Sequence, residues 1–191
     1  MFKEMKLLKP SWITALLVIV LSLLSIQNYR VLPAKEDIIF AAIHWHGPVL
    51  LTQTLLLCLI AWQVVSFRKI RFLVAIRGKD EVIQKNLLKL MTMEVIGYFI
   101  LFDGSYLLTG HPIFSKGPVI IGILMLVLRM VLVWFLGLLL ITTYTAPYPG
   151  LILLGVLVVN LFYHYVIEMN FLLIQYSQTY DPLWKAFNLN R

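Results

Sequence analysis

Residues 118–144 read PVIIGILMLVLRMVLVWFLGLLLITTY, an apolar run broken by one charge, Arg129. A helix rises about 1.5 Å per residue and the hydrocarbon core of a bilayer is about 30 Å thick, so about 20 such residues suffice to cross it. The run is too long and alternates too little for a barrel strand. A membrane-spanning helix is expected here, and four other segments meet the same requirement. They are residues 11–29, 48–67, 87–109 and 151–168, the last extending through Phe171-Leu172-Leu173-Ile174.

The breaks between these runs carry turn chemistry: Leu32-Pro33, Gly47-Pro48, Gly110-His111-Pro112, Gly117-Pro118 and Ala146-Pro147-Tyr148-Pro149-Gly150. Composition agrees with the segments. Of 191 residues, 61% are hydrophobic and 13% charged, whereas an ordinary soluble domain is nearer half apolar and a quarter charged. The expected fold is an all-α integral membrane protein, a single transmembrane domain over residues 1–191 built as a bundle of about five, or six, transmembrane helices. No further hydrophobic run follows residue 175, so the sixth helix has no visible segment of its own.

The net charge of +7 does not point to nucleic acid, because the basic residues stand beside hydrophobic runs, where they act as topological anchors. Lys3, Lys6 and Lys9 precede the first run, and Arg68, Lys69, Arg71, Arg77, Lys79, Lys85 and Lys89 fall between the second and third. The opposite connections hold only Arg30, Lys35 and Lys116. A multi-pass protein of the cell membrane with a cytoplasmic N-terminus is expected, lipid being a partner of its outer surface. The first run has the basic flank of a signal peptide, but Ser25-Ile26-Gln27-Asn28-Tyr29-Arg30 offers no small-x-small cleavage site, so it reads as a retained helix. Trp12, Tyr29, Trp45, Phe67, Tyr144, Tyr148 and Trp184 sit near the boundaries as interfacial anchors.

Three charges fall inside predicted spans: Glu94, Asp103 and Arg129. An unpaired charge in hydrocarbon costs several kcal/mol, so these residues should face protein or water. By helical rise, Arg129 lies at a depth between Glu94 and Asp103 and reaches either one. Such charges either form a substrate or proton path or fix the packing of the third and fourth helices as a buried ion pair, the simpler of the two readings.

Histidines supply a further candidate, His44-Trp45-His46, with His111 and His164 elsewhere. A His-x-His pair gives two metal ligands, which is not a site, and the plain reading is of interfacial histidines beside a Trp. Cys58, the single cysteine, falls within a hydrophobic run twelve residues after His46, a poor arrangement for nucleophilic catalysis and none for a thiolate cluster. There is no Gly-rich phosphate loop, His-Glu-x-x-His or Gly-x-Ser-x-Gly. No catalytic residue, metal site or cofactor of the chain's own is therefore expected.

The connection over residues 68–89 is too long for a minimal turn. Phe72, Leu73, Ala75 and Ile76 alternate with basic positions as in a short interfacial helix, and Gly78 gives a break before Asp80 and Glu81 open the next helix. An aromatic-apolar run, an Arg, a small residue and a mixed-charge helix start, here Phe72, Arg77, Gly78, Lys79, Asp80 and Glu81, resemble the coupling segment of small type-2 ABC exporter permeases. With the lysine-rich N-terminus and two preceding spans, the resemblance covers roughly the first 110 residues, and the chain departs from the usual six-span pattern in lacking a recognisable sixth helix.

The resemblance implies a loop that docks onto a separate ATPase subunit through Arg71, Phe72, Arg77, Gly78, Lys79, Asp80, Glu81 and Lys85. ATP and Mg would then bind that partner and not this chain. A second permease chain or a second copy would complete the path, and a peptide or amphipathic substrate would move outward. The alternative is a non-transporting accessory or immunity-type membrane protein, in which the basic loop serves topology and partner binding.

Overall fold

A computed structural model describes residues 10–27, 36–76, 78, 80–177 and 180, and these are helical with no strand among them. We number the elements α1 Pro10–Gln27, α2 Phe40–His44, α3 Pro48–Arg68, α4 Arg71–Ile76, α5 Asp80–Leu107, α6 Val119–Tyr144 and α7 Pro149–Tyr176. Three of them, α3, α6 and α7, are long and apolar enough to cross a membrane, and α1 contains a shorter apolar helix, Ile13–Ser25. α5 starts at Asp80, earlier than the apolar run alone indicates, because the charged turn from Glu81 to Lys85 is helical and held by an i,i+4 ion pair at 3.6 Å.

α1 packs mainly on α5, while α6 lies among α3, α5 and α7. The surface has the reverse of a water-soluble distribution. Ile120 (80% exposed), Leu151 and Phe162 point outward, whereas Arg129 (3%), Glu168 (1%) and His164 (0%) are buried. In hydrocarbon this arrangement satisfies the polar groups against each other and leaves the apolar ones in contact with lipid.

The two ends of the bundle differ. At the basic end, Val64, Phe67, Leu87 and Tyr144 form a small apolar cluster, Arg68 Nη1 donates to the Thr143 carbonyl at 3.4 Å, and the Arg71 guanidinium lies 5.9 Å from the Tyr144 ring centroid. The middle is a dry core including Leu56, Leu57, Ile60, Met91, Val95, Leu136 and Leu140. Gly137 allows α6 to meet Met91 on α5, whose sulfur would lie 2.6 Å from an added Cβ.

At the other end, which holds His44, His46 and His111, the structure departs from the plain connection expected between the spans ending at residue 29 and starting at residue 48. Residues 38–44 are helical, and Ile38, Ile39, Ala41, Ala42 and Ile43 are buried. Six successive apolar residues between Asp37 and His44 can only be sheltered by folding back into the bundle. Asp37 caps the start of this helix, its Oδ1 accepting from Phe40 N at 3.2 Å. The same carboxylate also accepts from Lys116 N at 3.3 Å, from the Tyr180 hydroxyl at 3.0 Å and from the Tyr176 hydroxyl. Burial, with Asp37 and Glu36 nearby, holds the Tyr180 phenol well above its ordinary range, so it stays a donor. Lys116 adds an ion pair to Glu36 at 3.4 Å.

Gly117 passes so close to Tyr176 that any Cβ would overlap the Tyr176 carbonyl oxygen. The expected site of greatest stability at this end is therefore Asp37. Asp37→Ala should cost about 3 kcal/mol, since it strands several buried donors at once, and should appear as a lowered thermal-unfolding midpoint in detergent, while Lys116→Ala should change it by less than about 1 kcal/mol.

Candidate functional site: a polar core around Arg129

α6 is apolar on nearly every side, yet Arg129 sits in its middle and is buried. A guanidinium is always charged and carries five N–H donors, so in such surroundings it must collect acceptors. Its Nε donates to Gln53 Oε1 on α3 at 3.1 Å, its Nη1 donates to the Ala42 carbonyl of α2, and Nη1 lies 3.7 Å from Glu168 Oε2 on α7. Ala42 lies in the last turn of the short helix, where carbonyls have no partner of their own, so Arg129 closes the end that Asp37 does not. α2 thus has a carboxylate at its positive end and a guanidinium at its negative end.

The core extends in two directions. Gln53 turns its amide nitrogen to Asn160 Oδ1 at 2.9 Å, joining α3 to α7. Glu168 Oε2 also meets His164 Nδ1 at 2.9 Å, and His164 Nε2 meets His46 Nδ1 at 2.9 Å. His164 and Glu168 lie in a π-helical stretch, Tyr163–Leu172. Its wider turn brings positions i and i+4 nearly into line, which sets the imidazole directly against the carboxylate. His46, just outside the apolar span of α3, is partly exposed, and burial together with the His164 imidazole holds it below the ordinary histidine range.

Asp103 on α5 lies within the electrostatic reach of Arg129, and its Oδ1 is buried without a hydrogen-bond partner. Four other buried polar atoms around this core are also unpartnered: Arg129 Nη2, Glu168 Oε1, Asn160 Nδ2 and the Tyr163 hydroxyl. Donors and acceptors are both present among them.

The third charge of the expected spans, Glu94, is elsewhere and does not meet Arg129. Its Oε1 accepts from Gln63 Nε2, and Gln63 follows Gln53 by ten residues along α3, about 15 Å nearer the basic end. Depth along one helix did not decide this pairing, because the neighbouring helix had a nearer amide to offer. A third polar group, Thr52, bonds the Tyr98 hydroxyl at 2.6 Å and Ser25 at 2.6 Å, tying α1, α3 and α5.

The docking candidates stand apart from this core, at the basic end. Arg71–Ile76 form a short helix in which Phe72 and Ile76 are 76% and 69% exposed, and Gly78 follows with a φ of 61° in the left-handed region. Asp80 begins α5, and Glu81 pairs with Lys85 on its exposed face. Arg77 and Lys79 lie outside the described residues, as do the N-terminal lysines, Arg30, Lys35 and residues 181–191. Among the described residues no group of three or more His, Cys, Asp or Glu could hold a metal ion, and the His111 ring lies 6.0 Å from that of Tyr106, tilted by 31°.

Residues distant in sequence make up this core: His46 before α3, His164 and Glu168 far along α7. Of these residues, the sequence singled out Arg129, His46 and His164; Gln53, Asn160 and Glu168 were missed, although each is a polar letter in or at the edge of an apolar run. Arg129→Met removes the permanent counter-charge of buried Glu168, leaving it only the His164 imidazole, and should lower unfolding stability in detergent by about 3 kcal/mol. Combining it with Glu168→Met should recover part of that loss, and additivity of the two changes would show that the residues are not coupled.

No family model matches this chain, and neither the curated proteins nor the solved structures contain one that does.

Proposed function

We propose that this chain is the membrane permease subunit of an ATP-driven exporter, a bundle of about five spans with the basic end in the cytoplasm. It moves a peptide or other amphipathic substrate outward with a separate ATPase subunit, which holds the ATP and Mg. The observation that carries this reading is α4: two large apolar side chains, Phe72 and Ile76, stand exposed on a short helix flanked by Arg68, Lys69 and Arg71. An apolar ridge within a cationic rim fits an apolar groove on a protein partner with acidic edges. The left-handed Gly78 and the exposed start of α5 continue the same surface. A second permease chain or a second copy would cover the outward apolar faces, since one small bundle makes a narrow path by itself.

A second reading is a non-transporting accessory or immunity-type membrane protein. It is favoured by the close-packed apolar core between the basic end and the Arg129 core, where Leu56, Leu57, Ile60, Leu136 and Leu140 are 0% exposed. An exporter must part that layer in each cycle, whereas an accessory protein keeps it shut.

Affinity purification in mild detergent, followed by mass spectrometry of the bound proteins, separates the two. The exporter reading expects a nucleotide-binding ATPase. Phe72→Ser should then cut its recovery roughly thirtyfold, the effect of losing an apolar anchor of about 2 kcal/mol. Charge reversal at Arg77, Lys79 or Glu81 should weaken recovery while the protein still inserts. Retention of unrelated membrane proteins only, or of none, overturns the exporter reading in favour of the accessory one.

A further inference from the structure

The charges of the Arg129 core do not balance. Arg129 supplies one positive charge, and Glu168 and Asp103 supply two carboxylates, with no Lys or other Arg among the described residues in ion-pair contact with either. With neutral imidazoles and both carboxylates ionised, the formal sum is minus one in a buried region. A net charge in such surroundings is costly, and one added proton removes it.

A route for that proton is present. His46 is partly exposed, and from it two hydrogen bonds of 2.9 Å each lead through His164 to Glu168 Oε2. If Glu168 is ionised, His164 Nδ1 carries the hydrogen that faces it, His164 Nε2 is an acceptor, and His46 Nδ1 is the donor to it. This assignment follows from the partners each nitrogen meets. Every hydrogen in the string is then already aligned for transfer inward.

We propose that His46, His164 and Glu168 form a proton-uptake path, and that the Arg129 core holds one exchangeable proton drawn from the side of the bundle opposite the basic loop. A proton binds His46 Nε2 as the Nδ1–H bond of His46 breaks and its proton bonds to His164 Nε2. The Nδ1–H bond of His164 then breaks, and its proton bonds to Glu168. Both imidazoles end neutral with their tautomers exchanged, Glu168 ends as the neutral acid, and Arg129 is left balanced by Asp103. The proton ends on Glu168 Oε2, which then donates to His164 Nδ1, now the acceptor.

The groups facing Glu168 and His164 are His46 from the segment before α3, Arg129 from α6, and Tyr163 and Tyr165 from α7 itself, with Asp103 of α5 reaching them only through the field at Arg129. α3 contributes the neutral Gln53 through Arg129. Glu94, bonded to Gln63, is separate and serves as an internal control.

The test is infrared difference spectroscopy of the full chain reconstituted in vesicles, read during pH titration and after a pH jump on the side of His46. A protonated-carboxyl band is expected that rises as pH falls, disappears in Glu168→Gln and persists in Glu94→Gln. His46→Gln, a change at a partly exposed position, should leave the band in place and slow its rise roughly tenfold or more. A band that survives Glu168→Gln, or that rises as fast in His46→Gln, overturns the proposal. Loss of the band on adding sodium at constant pH would also overturn it, by assigning the site to a metal cation.

Discussion

One guanidinium organises the half of this molecule that lies away from the basic loop. Arg129 is enclosed by an apolar helix, and the only way to keep a permanent charge there is to gather acceptors from several other segments. α2 gives a backbone carbonyl, α3 an amide oxygen and α7 a carboxylate. These acceptors in turn set positions: α2 is drawn back into the bundle, α7 is turned to bring Glu168 inward, and Gln53 is aligned to bridge onward to Asn160. The cost of the charge is thereby converted into specificity of packing, since few other arrangements of these segments would satisfy it.

The helices themselves were legible because long apolar runs have little else to become. Arg129 stood out for the same reason, a charge within a run of Leu, Val and Ile. Its carboxylate partner was harder to see. Glu168 lies at the edge of the apolar run of α7, and a π-helical stretch changes which residues share a face, a change that counting at 3.6 residues per turn cannot follow. His46 was read with its neighbour His44 as a pair beside a Trp, yet it bonds to a histidine 118 positions further on. Asp37 was legible as a charge but not as a cap, because the stretch between residues 29 and 48 read as a plain connection. The signal there was the run Ile38-Ile39-Phe40-Ala41-Ala42-Ile43, too apolar to stay outside.

The polar groups are also divided by depth. Gln63 and Glu94 pair toward the basic end, while Gln53, Asn160, Asp103, Arg129, His164 and Glu168 belong to the other half. Between the two lies a tightly packed layer of Leu, Ile, Met and Val. Any coupling of the basic loop to the Arg129 core has to pass through α3, α5 or α6 as rigid bodies, because no polar chain crosses that layer among the described residues.

The order of synthesis gives Arg129 a further meaning. When α6 emerges from the ribosome, Ala42 and Gln53 have already been made, but Glu168 has not. For a chain that enters the bilayer as it grows, α6 must therefore be admitted largely on its own hydrophobicity, with two neutral acceptors and the Asp103 carboxylate already made and its ion-pair partner Glu168 still to come. An Arg at helix centre opposes insertion by about 2.5 to 3.5 kcal/mol, an amount that the many Leu, Ile and Val residues around it can outweigh. α7 then acts as the closing piece of assembly: its arrival supplies the ion-pair carboxylate, and a chain halted before Glu168 leaves Arg129 without it.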